Sequence, residues 1–296
     1  MNRLFLADKP AGIGSNKFLS ALKRKYGVKK AGFSGTLDPF ASGALIVAFG
    51  QYARFFRFLK KEPKVYAATL WLGAQSPSGD NENIERVEQI PPLLREILDA
   101  AVAQMRGEIK FIPPAFSAKK IDGVRAYKLA RAGEEVSLKE SSMRVFDAEI
   151  LSYAHPFVSF RVALSEGGYV RSFAQILAEK LGVCGTLSAL RRESEGAFDL
   201  KDPRFADEVA LNPLEFLDLK PNFYDGDARD VILGKKLAAK DLASRADGCY
   251  LLICGDFYSI IEIGAGEVRY LWNDVPIAGG PWRRGSPAWS CGSRGG

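Results

Sequence analysis

"GFSGTLDPFASGALIVAFG", residues 32–50, decides how this chain is read. One carboxylate, Asp38, stands between Gly35 and Gly43 and directly before Pro39. Asp-Pro is a good helix start, because the carboxylate caps free N–H groups and the proline occupies a position that needs none. A stiff turn can also hold a carboxylate for chemistry. Spacing alone leans to the cap, since capping is the commoner use of Asp-Pro. The apolar run "ALIVAFG" that follows reads as a buried strand.

The 296 residues are 47% hydrophobic, enough for one large domain and a smaller one. A net charge of +6 is unevenly placed, in "LKRKYGVKK" (22–30), "LKKEPK" (59–64) and "SAKKIDGVRAYKLARAG" (117–133). Clustered Lys and Arg suit a polyphosphate partner, and equally a solvated basic face. Cys184, Cys249, Cys254 and Cys291 form no CxxC pair, and His155 is the single histidine. A Cys/His zinc site and a disulfide framework are therefore not expected. The N-terminal apolar run is too short for a signal peptide, and no stretch has membrane-spanning length, so a soluble cytoplasmic protein is expected.

Before the opening stretch, "RLFLADKP" reads as a strand and "AGIGS" as a glycine-rich turn without the GxxxxGK[ST] phosphate loop. Ser15 has the position of an N-cap. Phe18, Leu19, Leu22 and Tyr26 follow at helical spacing, and Gly27 ends the helix. After it, "KVYAATLWLG" (64–73) is a strand and "SPSGDNEN" (76–83) a loop. "PPLLREILDAAVAQMRGEI" (91–109) reads as an amphipathic helix with Pro92 in its first turn. "FVSFRVALSEGGYV" (157–170) is a strand entering a Gly-Gly turn, and "SFAQILAEKLG" (172–182) a helix. Helices and strands do not alternate regularly, which predicts an α+β fold with a mixed sheet. Past residue 215, "DGCYLLICGDFYSIIEIGAGEVRYLWN" reads as three short strands of a small β-rich domain. The Gly/Pro/Ser/Arg-rich stretch 276–296 is expected to be disordered, as a passive or artefactual tail.

These motifs, in this order, closely resemble the TruB family of tRNA pseudouridine synthases. "DKPAGIGS" (8–15) is similar to the family's N-terminal motif, 32–50 to its signature, and "KVYAATLWLG" to its Lys-x-Tyr strand. "PPAFSAKKIDGVRAYKLAR" (113–131), "GGYVRSFAQILAEKLG" and "LRRESEGAF" (190–198) continue the match over about residues 3–200. The resemblance implies a pseudouridine synthase fold: a mixed, mainly antiparallel sheet with a central catalytic cleft. It places that domain at 1–215, with an RNA-gripping insertion within about 60–150, and a reduced PUA-like module at 216–275. The implied reaction isomerises a flipped-out uridine of the tRNA T loop, position fifty-five, without cofactor or metal. The implied partner is the T stem-loop of tRNA, bound by a monomer without a guide RNA.

The same resemblance assigns roles. Asp38 falls on the essential carboxylate and Arg171 on its arginine partner. Tyr66 falls on the tyrosine that stacks on the uracil and serves the final deprotonation. Tyr169 falls on a second pocket tyrosine and Leu190 on the apolar pocket wall. Lys9 and Lys64 match motif lysines with structural or RNA-contact roles. Breaking an N-glycosidic bond develops positive charge at the anomeric carbon, so a carboxylate beside the ribose suits the chemistry. Burial would raise its pKa, and a guanidinium in contact would lower it by about 1–3 units. Phe33 departs from the pattern, standing where the family usually has a histidine that takes the flipped base's place. Two other readings remain: an inactive RNA-binding protein or tRNA-folding chaperone on this scaffold, and a phosphotransferase using Asp38, for which "TLDP" is one carboxylate short.

Overall fold

The computed structural model describes residues 1–276 apart from 118, 122 and 135. The expected tail beyond residue 276 lies outside the described residues. By contact the chain divides into two compact units, Met1–Arg54 with Lys61–Ala210, and Phe55–Lys60 with the described residues from Leu211 onward.

The first unit is built on a sheet of nine strands. Its main path uses β1 (Arg3–Lys9), β3 (Ser42–Phe49), β4 (Lys64–Leu72), β5 (Gly107–Phe111), β6 (Ser141–Ala154), β7 (Phe157–Leu164) and β8 (Gly185–Glu195). Their spatial order is β1-β3-β8-β4-β7-β6-β5, with β2 (Ala31–Phe33) and the pair Phe198–Asp199 attached beside it. Every junction on the path is antiparallel except β3–β8, where Arg191 and Arg192 run parallel to Ser42 and Gly43. This is the mixed, mainly antiparallel sheet that the sequence predicts.

Hydrophobic patterning explains the placement of these strands. β3 is buried at seven of its eight positions, as expected of a continuous apolar run covered on both faces. β4 instead alternates strictly, so Lys64 and Tyr66 share a face with buried Ala68, Leu70 and Leu72. Helices α2 (Arg95–Ala103) and α4 (Val170–Lys180) contribute Leu98, Val102, Phe173 and Leu177 to the core that this face of β4 and β7 covers. Helix α1 (Ser15–Lys25) lays Phe18, Leu19, Leu22 and Tyr26 on Phe5, Leu45, Val47 and Phe49.

Three local expectations are corrected. Asp38 and Pro39 start no helix; they lie in a turn closed by the Ala41 N–H on the Asp38 carbonyl. Ser15 is the first residue of α1 rather than its cap, because its hydroxyl is used by Leu37 instead of its own helix. Helix α2 begins at Arg95, since the Leu93 N–H is held by the Tyr153 hydroxyl and Leu94 is extended. It ends at Ala103, and Gly107, at φ 106°, turns the chain into β5.

A short helix α3 (Ala126–Arg131) follows the two-residue strands Lys120–Ile121 and Val124–Arg125. In the second unit, β9 (Gly248–Cys254), β10 (Phe257–Gly264) and β11 (Glu267–Pro276) form an antiparallel meander with Lys220–Pro221 parallel to β9. The three long strands coincide with the three read from the sequence. Tyr224, Leu252, Ile261 and Ile263 pack there, with Val231 of α5 (Ala228–Ile232).

Candidate active site

Four fastenings hold the turn that carries Asp38. The Ser34 N–H donates to the Ile46 carbonyl, and the Gly12 N–H donates to the Pro39 carbonyl at 2.8 Å. Ser15 Oγ donates to the Leu37 carbonyl at 2.8 Å and accepts from the Leu37 N–H at 3.0 Å. Arg192 Nη2 donates to the Gly35 carbonyl at 2.9 Å. The flanking glycines are there for close approach. At Gly43, φ 109°, a Cβ would lie 2.1 Å from the Arg192 carbonyl oxygen, where β3 and β8 run parallel. Asp38 therefore caps no helix, and its loop is fixed from both sides.

Arg171 lies in the first turn of α4 with its side chain 3% exposed. Its Nε stands 3.0 Å from Asp38 Oδ2 and its Nη1 3.6 Å from Asp80 Oδ2. The remaining donors are spent on backbone, Nη1 on the Ser78 carbonyl at 2.7 Å and Nη2 on the Phe116 carbonyl at 2.8 Å. Asp80 is buried and accepts from Ser78 Oγ at 2.6 Å and from the Glu82 N–H at 3.1 Å. A guanidinium fixed at every nitrogen is a preorganised partner rather than a mobile surface arginine.

The Asp38 carboxyl is pushed above its ordinary value. Burial is the largest cause; Arg171 opposes it, Asp80 adds to it, and Lys9 opposes it weakly. Read from the sequence, Arg171 holds this carboxyl low. In the structure one guanidinium serves two carboxylates, so burial prevails. Asp38 keeps 31% of its side chain exposed, toward two cavities that meet at it.

The first cavity, of about 220 Å³, is walled by Tyr66, Tyr169, Leu190, Lys64 and Arg192. Tyr169 is the residue that precedes α4, and burial raises its phenol pKa, with Ser117 pulling the other way. The second, of about 250 Å³, has Asn16, Asp80, Glu82 and Asn83 on its wall. Asp38, Arg171 and Ser117 belong to both. An aromatic slot beside a carboxylate can take a planar base and leave its sugar against that carboxylate.

Asp38, Arg171, Tyr66, Tyr169, Leu190 and Lys64 are thus brought together at one cavity. Lys9 and Phe33 line neither cavity. Lys9 is fully buried, and its Nζ donates to the Pro10 and Ile13 carbonyls at 2.9 and 2.6 Å, fastening the turn before α1. Burial lowers its pKa to about 8, against an upward pull from Asp38. Phe33 is half-buried among the residues between α1 and β3.

Sequence reasoning missed Asp80, Ser15, Arg192 and Glu195. Asp80 stands in a segment that reads only as a turn-rich loop. Arg192 and Glu195 stand within a matched motif, but alternation puts residues three apart on opposite faces. A register shift between Arg192 and Ser194 inserts one residue into β8 and turns Glu195 to the side of Arg192, 3.4 Å away.

Fold and site together suit an enzyme that takes a planar base beside a carboxylate. Residues 23–170 match the family described as "TruB family pseudouridylate synthase (N terminal domain)", and the chain belongs to this family. It is 58% identical over 275 residues to the tRNA pseudouridine synthase B of Campylobacter curvus (strain 525.92), covering 93% of this chain and 99% of that one. The protein of the same name from Campylobacter jejuni subsp. jejuni serotype O:2 is 49% identical over 279 residues, with coverage of 93% and 99%. That from a Nitratiruptor species is 46% identical over 276 residues, with coverage of 93% and 98%. Among solved structures, a Cbf5–Nop10–Gar1 complex superposes with a TM-score of 0.65 at 19% identity, over 92% of this chain and 84% of that one. An H/ACA RNP bound to a substrate RNA gives 0.64 at 20%, over 93% and 85%. These two share the fold.

Proposed function

We propose that this chain isomerises the T-loop uridine at position fifty-five of tRNA to pseudouridine, with Asp38 as its essential carboxylate. The chain is a tRNA pseudouridine synthase, an isomerase; the site, the residue roles and the position modified are the proposal. The observation that carries it is the 3.0 Å contact between Asp38 Oδ2 and Arg171 Nε at the mouth of the aromatic cavity.

The uridine leaves its stack, at a cost of a few kcal/mol. Phosphate contacts from basic segments such as 22–30 and 117–133 supply that cost. Uracil enters between Tyr66, Tyr169 and Leu190, with the ribose toward Asp38. The C1′–N1 bond breaks, and the bonding pair leaves with the base. Asp38 meets the sugar by attack on C1′, by stabilising its positive charge, or by taking a neighbouring sugar proton. The base turns within the cavity, C5 bonds to C1′, and the C5 proton passes to N1 with Tyr66 at hand. Arg171 keeps Asp38 aimed throughout. No metal or cofactor is drawn on.

Residues within about 60–150 act as the RNA-gripping lobe, and residues 216–275 act as a reduced PUA-like module. The protein works as a monomer, in the cytoplasm, without a guide RNA. Among the described residues no helix is long and apolar enough to cross a membrane.

The test is single-turnover pseudouridine formation on a T-stem-loop RNA, with the modified position mapped and RNA affinity measured alongside. Product at the T-loop uridine that disappears in Asp38→Asn with affinity retained supports the reading. An Asp38→Asn variant with substantial turnover overturns it.

A further inference from the structure

The base cavity also carries a charged group that the mechanism above leaves idle. Glu195 is fully buried and accepts from Ser34 Oγ at 2.8 Å. Lys64 Nζ stands 3.3 Å from its Oε1 and Arg192 Nη2 3.4 Å from its Oε2. Two cations therefore share one carboxylate. Both cations line the cavity, and Glu195 does not. Gly35 keeps this wall open: at φ 60°, a Cβ there would lie 2.9 Å from Arg192 Nη1 and 3.0 Å from Lys64 Nζ. Asp38 and Arg171 line the same cavity, and Arg171 is shared with Asp80 behind it.

We propose that Lys64 and Arg192, at the base cavity, stabilise the negative charge that departs with the uracil. This rests on the functional reading given above. When C1′–N1 breaks, the bonding pair stays on the base, giving a uracil anion with its charge spread over N1, O2 and O4. C1′ becomes electron-poor on the Asp38 side. The surplus of one positive charge on the Lys64–Arg192–Glu195 group faces the anion, and the Asp38 carboxyl stands toward the sugar. No proton passes to Lys64; the ammonium acts by its field. When C5 bonds to C1′ the negative charge on the base is consumed, and transfer of the C5 proton to N1 restores the aromatic ring. Glu195 sets the size of the surplus, since without it two buried cations would face one another beside an open cavity.

Charge arithmetic supplies the test. The group carries a net charge of plus one in wild type, zero in Lys64→Met, and plus one again in Lys64→Met/Glu195→Gln, where Arg192 alone remains. Lys64→Met should lower the single-turnover rate about a hundredfold, the scale of losing one preorganised electrostatic donor. Affinity for the T-stem-loop RNA should stay within about threefold of wild type. The double variant should be about tenfold faster than the single one, whereas a purely structural clamp would make it slower still. A Lys64→Met rate near wild type, a double variant no faster than the single, or a loss confined to RNA affinity each overturns the proposal. Should Lys64→Met fail to fold, Lys64→Arg is compared with Lys64→Gln: a charge-dependent advantage for Arg of about tenfold is expected, and equal rates overturn the idea. Wild-type turnover and its loss in Asp38→Asn, run in parallel, keep a failure of this proposal separate from a failure of the functional reading.

Discussion

Arg171 holds Asp38 through Nε at 3.0 Å and reaches Asp80 through Nη1 at 3.6 Å, so a single guanidinium divides its charge between two carboxylates. The arrangement fixes the direction of Asp38 without fully compensating its burial, and the carboxyl stays above its ordinary pKa. An ionised carboxylate in that position is reactive because it is poorly solvated, and the fold bears the cost.

That cost is measurable in Asp38→Asn. The unfolded chain has an ordinary Asp38, near 3.8, and the folded chain binds the proton more tightly. Stability is therefore withdrawn as pH rises from that value through the folded pKa. Asparagine removes the penalty. At neutral pH the variant should melt at or above the wild-type temperature, and the difference should shrink toward acid, where Asp38 is protonated in both states. Thermal melts across pH, beside turnover, check this. A variant clearly less stable than wild type at neutral pH would mean that the Arg171 contact outweighs burial.

Arg171→Lys removes the fork. Lysine carries one charged nitrogen, whereas Arg171 serves Asp38, Ser78, Phe116 and Asp80 together. Whichever partner the ammonium takes, buried carbonyls at Ser78 or Phe116 lose theirs, at about 1–3 kcal/mol for each. Turnover should fall about a hundredfold and the melting temperature should drop. Activity near wild type in a folded Arg171→Lys would show that a point charge suffices.

The residues of this cavity were named in the sequence by the resemblance of its motifs, and β4 and α4 carry them to one place because both obey simple periods. Lys64 and Tyr66 share a face by strand alternation, and Tyr169 and Arg171 flank a helix start, so motif spacing translates directly into position. The network behind the Asp38 turn was not legible. Ser15 reads as a cap because Ser before an apolar run usually is one, but its partner is Leu37, 22 residues away. Glu195 meets Arg192 only through an inserted residue in β8, which local pattern does not announce. Asp80 reads as loop until Arg171 is seen to approach it.

Ser15→Ala tests whether that remote fastening matters. The hydroxyl is the partner of both the N–H and the carbonyl of Leu37, next to Asp38. Without it, two buried backbone groups are left unpaired, worth roughly 1–3 kcal/mol in stability. Because the loosened segment carries Asp38, the single-turnover rate should fall with RNA affinity retained. A stability loss with no change in rate would mean that the other fastenings hold the carboxylate alone.

Phe33 is where the chain departs from the family pattern and where the structure redirects the expectation. If Phe33 filled the place of a flipped base, an aromatic ring alone would matter, and Phe33→Ala would weaken RNA engagement by about 1–3 kcal/mol. Phe33 lines neither cavity, pairs with Val47 through β2, and sits half-buried in the cluster that includes Leu22 and Phe49. A fully buried phenylalanine costs about 3–5 kcal/mol on truncation, and a half-buried one should cost roughly half of that. Phe33→Ala should therefore lower the melting temperature and leave the affinity of the folded fraction for T-stem-loop RNA close to wild type. Phe33→His, which keeps a planar ring but places a polar edge in the cluster, should lose less stability than Phe33→Ala and bind equally well. Melting and RNA affinity measured on the two variants decide between packing and stacking. A Phe33→Ala protein with an unchanged melting temperature and tenfold weaker binding, about 1.4 kcal/mol, would return the ring to the RNA.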